Sequence, residues 1–161
     1  MGKIAAKNEE SRDQFFMEQA LQEAQKAYKI REVPIGAVVV ADGEIVGRGY
    51  NLREQKQDPT LHAEMIALKE AANFFSSWRL DQCTLYVTLE PCSMCAGAVL
   101  QARIARLVFA AFDKKAGACG SLYNLLSDDR LNHQVPTESG VLAEKSSKLL
   151  KDFFAELRAD G

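Results

Sequence analysis

The sequence predicts an α/β domain of three layers, with helices on both faces of one sheet, and three observations carry that prediction. Two apolar runs, 35–41 and 44–50, flank the dipeptide Asp42-Gly43, the pattern of a β-hairpin closed by a tight turn. Residues 84–111 read as strand, helix, strand, which makes a βαβ unit. Each end of the chain carries a helix with one apolar face, and such a face has to be buried against another layer. A length of 161 residues suits one domain whose core buries roughly two-thirds of the unfolded surface. Residues 12–161 are assigned to that domain, and the polar, charged stretch 1–11 to a flexible tail.

From the N-terminus, Phe16, Met17, Ala20, Leu21, Ala24, Ala27 and Tyr28 recur at helical spacing and predict a covering helix over 13–28. The hairpin follows, with three consecutive valines, Val38, Val39 and Val40, in its first strand. The polar stretch 52–59 predicts a loop that delivers Asp58-Pro59-Thr60 to a helix over 61–75. Leu85, Tyr86, Val87, Thr88 and Leu89 predict a strand over 84–89, and Pro91 breaks it before a helix over 93–102. Residues 107–111 predict the next strand. Ligand sites in α/β sheets lie at the carboxyl ends of strands, where this βαβ unit puts its Cys-x-x-Cys. Beyond the loop from Gly117 to Gly120, residues 122–126 predict a short helix. An edge strand is expected over 134–139, because Pro136 is tolerated only at an edge or a bulge. Leu142, Leu149, Leu150, Phe153, Phe154 and Leu157 form the wide apolar stripe of a last helix over 141–158. There is no repeat, low-complexity tract or interdomain linker.

The 20 Lys and Arg are set against 22 Asp and Glu, a net charge of -2, which argues against a generic RNA-binding module. A net count is blind to local patches, and Lys114, Lys115, Lys145, Lys148, Lys151 and Arg158 gather in the last third of the chain. They read either as a solvated helix face or as phosphate contacts. The first residues lack the apolar core of a signal peptide, and no apolar run approaches the ~18 residues of a membrane span. A soluble, cytoplasmic protein without membrane contact is therefore expected. The four cysteines are even in number, but two stand in a Cys-x-x-Cys and a chain of this size folds on its core without staples. Cys83, just before a strand, and Cys119, in a Gly-rich loop, read as small buried residues.

The chemistry concentrates in Pro91-Cys92-Ser93-Met94-Cys95, read together with His62-Ala63-Glu64. Two cysteines three apart at the start of a helix can turn both sulfurs to one face, and His62 can supply the third ligand of a tetrahedral zinc site. Three protein ligands leave the fourth position to a water, which zinc acidifies to about pKa 7. A structural site would need further ligands from Cys83, Cys119 or His133, and none of those forms a second close pair; His133 reads as an ordinary histidine. Both ligand groups sit at helix N-termini, where the dipole favours the thiolate that binds metal. Glu64 would gain from the same dipole, yet two residues from His62 it also stands within reach of the water. There it can take a proton from the water, pass it to the ring nitrogen next to the attacked carbon and protonate the departing ammonia.

His-x-Glu followed by Pro-Cys-x-x-Cys is the signature of zinc-dependent nucleobase deaminases. The likeness extends to Val33-Pro34-Ile35-Gly36-Ala37-Val38-Val39-Val40, to Asp58-Pro59-Thr60-Leu61, to Thr88-Leu89-Glu90 and Ala96-Gly97-Ala98 around the cysteines, and to Gly117-Ala118-Cys119-Gly120-Ser121-Leu122. In these stretches the chain resembles the bacterial tRNA-specific adenosine deaminases, from about Phe15 to Arg158. The resemblance implies the cytidine-deaminase-like fold with a mixed sheet of about five strands, and one zinc ion per chain on His62, Cys92 and Cys95. It implies Glu64 as the catalytic proton shuttle and substrate contacts at Asn51, Ala63 and Asp113. Asn51, otherwise a turn residue, matches the family asparagine that hydrogen-bonds the flipped base. Asp113, otherwise a cap or a solvated charge, matches an aspartate near the ribose of a flanking nucleotide. Phe153 and Phe154 resemble the family's C-terminal aromatic pair, one of them core by its helical spacing. The activity implied is hydrolytic conversion of the wobble adenosine of a tRNA anticodon stem-loop, tRNA-Arg foremost, to inosine, by a homodimer whose partner helps line the RNA groove. Cytosine, guanine and deoxycytidylate deaminases share the signature, so a free-base or nucleotide deaminase is the alternative reading, with a non-catalytic zinc module behind it.

Overall fold

The computed structural model describes the backbone of residues 2–161 and the side chains of residues 8–161. The elements run α1 Gly2–Lys29, β1 Gly36–Ala41, β2 Glu44–Tyr50, α2 Arg53–Lys56, α3 Ala63–Phe75, β3 Thr84–Leu89, α4 Ser93–Gln101, β4 Arg106–Ala111, a 3-10 turn at Leu125–Ser127, β5 Thr137–Ser139 and α5 Ala143–Asp160. The strands form one mixed sheet in the order β2-β1-β3-β4-β5. β1 is antiparallel to both β2 and β3, whereas β4 runs parallel to β3 and to β5. The expected α/β/α layering on a mixed five-stranded sheet is what the chain adopts.

Period-two alternation along the strands sorts the core into two slabs. Val39, Leu85, Val87, Leu107 and Phe109 pack with Ala63 and Ala67 of α3 and with Ala96, Val99 and Leu100 of α4. Val38, Val40, Tyr86, Val108 and Ala110 pack with Phe16, Met17 and Ala20 of α1, and Val141 and Leu142 lie against the same cluster. β1 is buried along its whole length because it is paired on both sides and covered on both faces. The hairpin turn places Asp42 at φ 50° and Gly43 at φ 75°, the left-handed pair that a two-residue turn requires.

Three contacts lock the helices onto the sheet. α3 rests on bare backbone of β2: a Cβ on Gly49 would stand 2.3 Å from the carbonyl oxygen of Ala63, so only glycine lets the first turn of α3 seat there. On the opposite face, Arg106 donates two bonds of 2.8 Å to the buried carboxylate of Asp13, and the Tyr86 hydroxyl donates a third at 2.8 Å. That knot pins α1 across β3 and β4. The Ser146 hydroxyl donates to the Thr88 carbonyl and ties α5 to β3.

Four stretches differ from the sequence expectation. α1 begins at Gly2 rather than near residue 13, so much of the stretch assigned to a tail is helical; Ala5, Ala6, Lys7, Glu9 and Glu10 are strong helix formers and no proline interrupts them. The 52–59 loop contains α2, whose Glu54 N–H donates to both carboxylate oxygens of Glu32 at 3.0 and 3.1 Å, a support from distant sequence. No helix spans 122–126: the N–H of Leu122 bonds back to the Gly117 carbonyl at 2.9 Å, Cys119 bridges Asn124, and only then does the 3-10 turn begin. β5 covers three residues, because Pro136 has no N–H to contribute and offers only its carbonyl, to Leu107 at 3.0 Å. All four cysteines are free, with Cys83 and Cys119 buried as expected. Among the described residues no helix is long and apolar enough to cross a membrane.

Candidate active site

α3 and α4 start beside one another, and their N-cap residues are His62 and Cys92. An N-cap side chain usually accepts a hydrogen bond from its own first turn. Neither does so here, and both reach instead into the space between the two helices. The Sγ atoms of Cys92 and Cys95 lie 3.6 and 3.5 Å from His62 Nδ1, and all three donor atoms fall within 4.8 Å of one another. Those separations are close to the edges of a tetrahedron with arms of about 2.0–2.3 Å, the zinc–nitrogen and zinc–sulfur distances. Two sulfurs and one imidazole nitrogen also form a donor set that suits zinc chemically.

Among themselves these donors share protons tightly. The Cys95 thiol hydrogen bond holds Cys92 down to about 3, against the upward push of burial and with further help from the His62 ring. The His62 ring is pushed up, chiefly by its bond to Cys92, and Cys95 is driven far up by the same thiol contact and by burial. A metal bound by these donors would displace the protons they share, so its affinity would fall with falling pH.

Glu64, in the first turn of α3, is 3 % exposed, and its Oε1 is the one buried side-chain oxygen or nitrogen among the described residues without a hydrogen-bond partner. Burial pushes its carboxyl up. A buried acceptor left open is a destabilising feature that native chains rarely keep. Beside three convergent metal donors it fits a partner that the chain itself does not contain.

These groups open onto a cavity of about 520 Å³, lined by His62, Ala63, Glu64 and Cys92 together with Asn51 and Ile35, the 112–116 segment, and Leu150 and Phe154 of α5. Asn51 is 6 % exposed; its Nδ2 donates to the Val33 carbonyl at 3.3 Å and its Oδ1 accepts the Arg53 N–H at 3.1 Å. Asp113 is half-buried, and its Oδ1 accepts the N–H groups of Lys115 and Ala116 at 3.0 and 3.2 Å, so it caps the turn and lines the cavity at once. Of the aromatic pair, Phe153 is core and Phe154 lines the cavity. His133 donates to or accepts from nothing in the site; its Nε2 sits 3.0 Å from the Ile104 carbonyl.

The basic residues of the last third divide into paired and unpaired groups. On α5, Lys145 pairs with Glu18 and Lys148 with Asp152, whereas Lys151 and Arg158 are exposed and have no ion-pair partner among the described residues. Arg53, Lys114 and Lys115 line the cavity, are exposed, and have no ion-pair partner among the described residues.

Sequence reasoning missed Glu90. This residue, 2 % exposed, follows β3 and lines the same cavity. Its Oε1 accepts from the Asp113 N–H at 3.0 Å and from the Ser121 hydroxyl, and its Oε2 accepts the N–H groups of Cys119 and Ser121, each at 3.0 Å. Burial raises its carboxyl, but the Ser121 hydroxyl and the three N–H donors outweigh burial and hold it below the usual range. The available signal was a lone acid at the end of an apolar strand, directly before Pro91.

A family model for MafB19-like deaminases matches residues 11–158. The chain is 51% identical over 148 residues to the tRNA-specific adenosine deaminase of Bacillus subtilis, covering 92% of both proteins. It is 48% identical over 157 residues to the protein of the same name in Haemophilus influenzae, covering 97% of this chain and 91% of the relative. Among solved structures it is similar, with a TM-score of 0.81 and 42% identity over 84% of this chain and 99% of the other, to one from studies of A-to-I editing by tRNA:A34 deaminases at the wobble position of transfer RNA. A guanine deaminase from Nitrosomonas europaea, at 22% identity and a TM-score of 0.78 over 88% and 84% of the two chains, shares the fold.

Proposed function

The chain belongs to the MafB19-like deaminases and, among them, to the tRNA-specific adenosine deaminase family, and on that premise we propose that it hydrolyses the wobble adenosine of a tRNA anticodon to inosine. Water adds at the carbon that bears the amino group and ammonia leaves. The observation that carries the reading is the unpartnered, buried Oε1 of Glu64 beside the His62, Cys92 and Cys95 donors, at the wall of a cavity large enough for a nucleoside. His62, Cys92 and Cys95 would hold one zinc ion, whose Lewis acidity would make water a nucleophile near neutral pH.

The remaining work falls to the chain. The Glu64 carboxylate takes a proton from the attacking water and hands it to the ring nitrogen beside the attacked carbon, then takes the remaining proton of the added hydroxyl and delivers it to the departing ammonia. Burial favours the protonated carboxyl, which suits a group that must keep a proton between two transfers. Asn51 holds the base: its two loop bonds fix the amide and leave a second N–H and a second lone pair for a nucleobase edge. Ala63, the first residue of α3 and fully buried, shapes the wall beside the base, and Asp113 meets the ribose of a flanking nucleotide. Arg53, Lys114 and Lys115 meet phosphates.

An anticodon stem-loop suits this site because a loop base is extruded at lower cost than a stacked one. The substrate is read as tRNA-Arg, the working form as a homodimer and the compartment as the cytoplasm, as the resemblance implies. The test is incubation of the zinc-loaded protein with an anticodon hairpin bearing adenosine at the wobble position, scored for inosine. Accumulation of inosine is expected. An inert hairpin together with ammonia release from guanine or cytosine would transfer the protein to the free-base deaminases.

A further inference from the structure

We infer that Glu90 is a positioning residue: its carboxylate templates the 112–121 loop against the Cys92 end of α4 and thereby sets the cavity wall that meets the groups flanking the target base. What that wall meets rests on the deaminase reading; the templating rests on geometry alone. Every described bond to the carboxylate comes from this one loop, three N–H groups and one hydroxyl, and no cation pairs with it. Charge-assisted acceptors of this kind are the strong ones, and four donors converging on one carboxylate define a loop conformation as a metal would. Backbone bonds flank the contact on both sides: the Glu90 N–H donates to the Ala111 carbonyl at 2.8 Å and the Ala118 N–H to the Pro91 carbonyl at 2.9 Å. Packing closes it. A Cβ on Gly117 would stand 2.2 Å from the Glu90 carboxyl carbon, so the loop passes the carboxylate only because position 117 has no side chain.

The consequence follows from what lies on either side. Two residues after Glu90 comes Cys92, a metal donor, and the templated loop carries Phe112, Asp113, Lys114, Lys115 and Ala116 into the cavity. One side chain thus holds the substrate wall in register with the end of β3 from which the metal site departs.

Two variants probe this from opposite sides. Glu90→Gln keeps the shape but turns an N–H2 toward N–H donors, and Gly117→Ala leaves Glu90 intact while displacing its carboxylate. Each should stay folded at assay temperature with one zinc per chain. In each, trypsin cleavage after Lys114 and Lys115, followed by mass spectrometry, should accelerate roughly tenfold, in keeping with the loss of bonds to a charged acceptor. On the wobble-adenosine hairpin KM should rise by a similar factor while kcat falls less. Unchanged cleavage in the folded variants, loss of zinc, a fall in kcat at constant KM, or failure of both variants to fold would each overturn the inference. Should the parent protein leave the hairpin untouched, the functional reading fails, yet the cleavage and zinc measurements still decide the role of Glu90.

Discussion

Glu64 and Glu90 are both buried in the wall of one cavity, and their surroundings are opposite. Glu90 receives four donors from its own chain, whereas one oxygen of Glu64 receives none. Burial raises both carboxyls; hydrogen bonding reverses that for Glu90 and not for Glu64. A third buried carboxylate, Asp13, resembles Glu90 in being fully engaged, by Arg106 and Tyr86, but lies on the opposite face of the sheet. The difference separates two uses of a buried acid. An acid whose acceptors are filled by the chain fixes shape, and one left open is set for a partner that comes and goes.

Removing the metal donors should have the largest effect. Cys92→Ala or Cys95→Ala should lose the zinc, abolish turnover and lower the melting temperature, since metal binding is linked to folding; full zinc occupancy by elemental analysis would show that the donors were misassigned. Next in size, Glu64→Gln should keep its zinc and lose about 10²–10⁴-fold in kcat. Its melting temperature should be no lower than the parent's, because the open acceptor contributes no bond. Near-normal turnover in this variant would move the proton transfers elsewhere and erase the contrast with Glu90.

Asp13→Asn sharpens the contrast from the other side. Breaking the Arg106 pair should destabilise the fold by about 3 kcal/mol, the low end for such pairs because the guanidinium keeps some solvent. A denaturant midpoint measures this, and kcat/KM per folded molecule should not change; a drop there would mean that engaged acids far from the cavity also tune the chemistry. The smallest effect concerns charge at the cavity. Lys114→Ala with Lys115→Ala should flatten the salt dependence of RNA binding by about 1.4 in log–log slope, at ~0.7 per phosphate contact. Lys148→Ala should leave the slope alone, since Asp152 already neutralises that cation at 2.7 Å. Equal slopes in the two variants would return the free lysines to ordinary surface.

What could be read beforehand was local. β3 runs over 84–89 as its Leu-Tyr-Val-Thr-Leu content indicates, Asp42-Gly43 makes the turn it promises, and Cys92 and Cys95 turn both sulfurs to one face as their spacing allows, while the arrival of His62 beside them was implied by the family resemblance. What escaped was tertiary. α2 is four residues long and leans on Glu32, 22 positions earlier than Glu54. Glu90 draws its donors from 23 to 31 positions downstream, a separation at which no periodicity or spacing rule operates. Of the two α5 pairs, Lys148 with Asp152 is an i,i+4 pair that the helix period already offered, whereas Glu18, 127 positions from Lys145, could be placed beside it only by the fold.

At its far edge the sheet ends in β5, where a neighbouring molecule finds little to pair with. The strand is three residues long and exposed throughout, carries Glu138, and follows Pro136, which has no N–H. The N–H of Gly140, just beyond it, is already shared between the carbonyls of Phe109 and Ala110, each at 3.1 Å. An incoming strand would have to desolvate a carboxylate in return for a very short ladder. Strand-by-strand growth from one molecule to the next is blunted on that side.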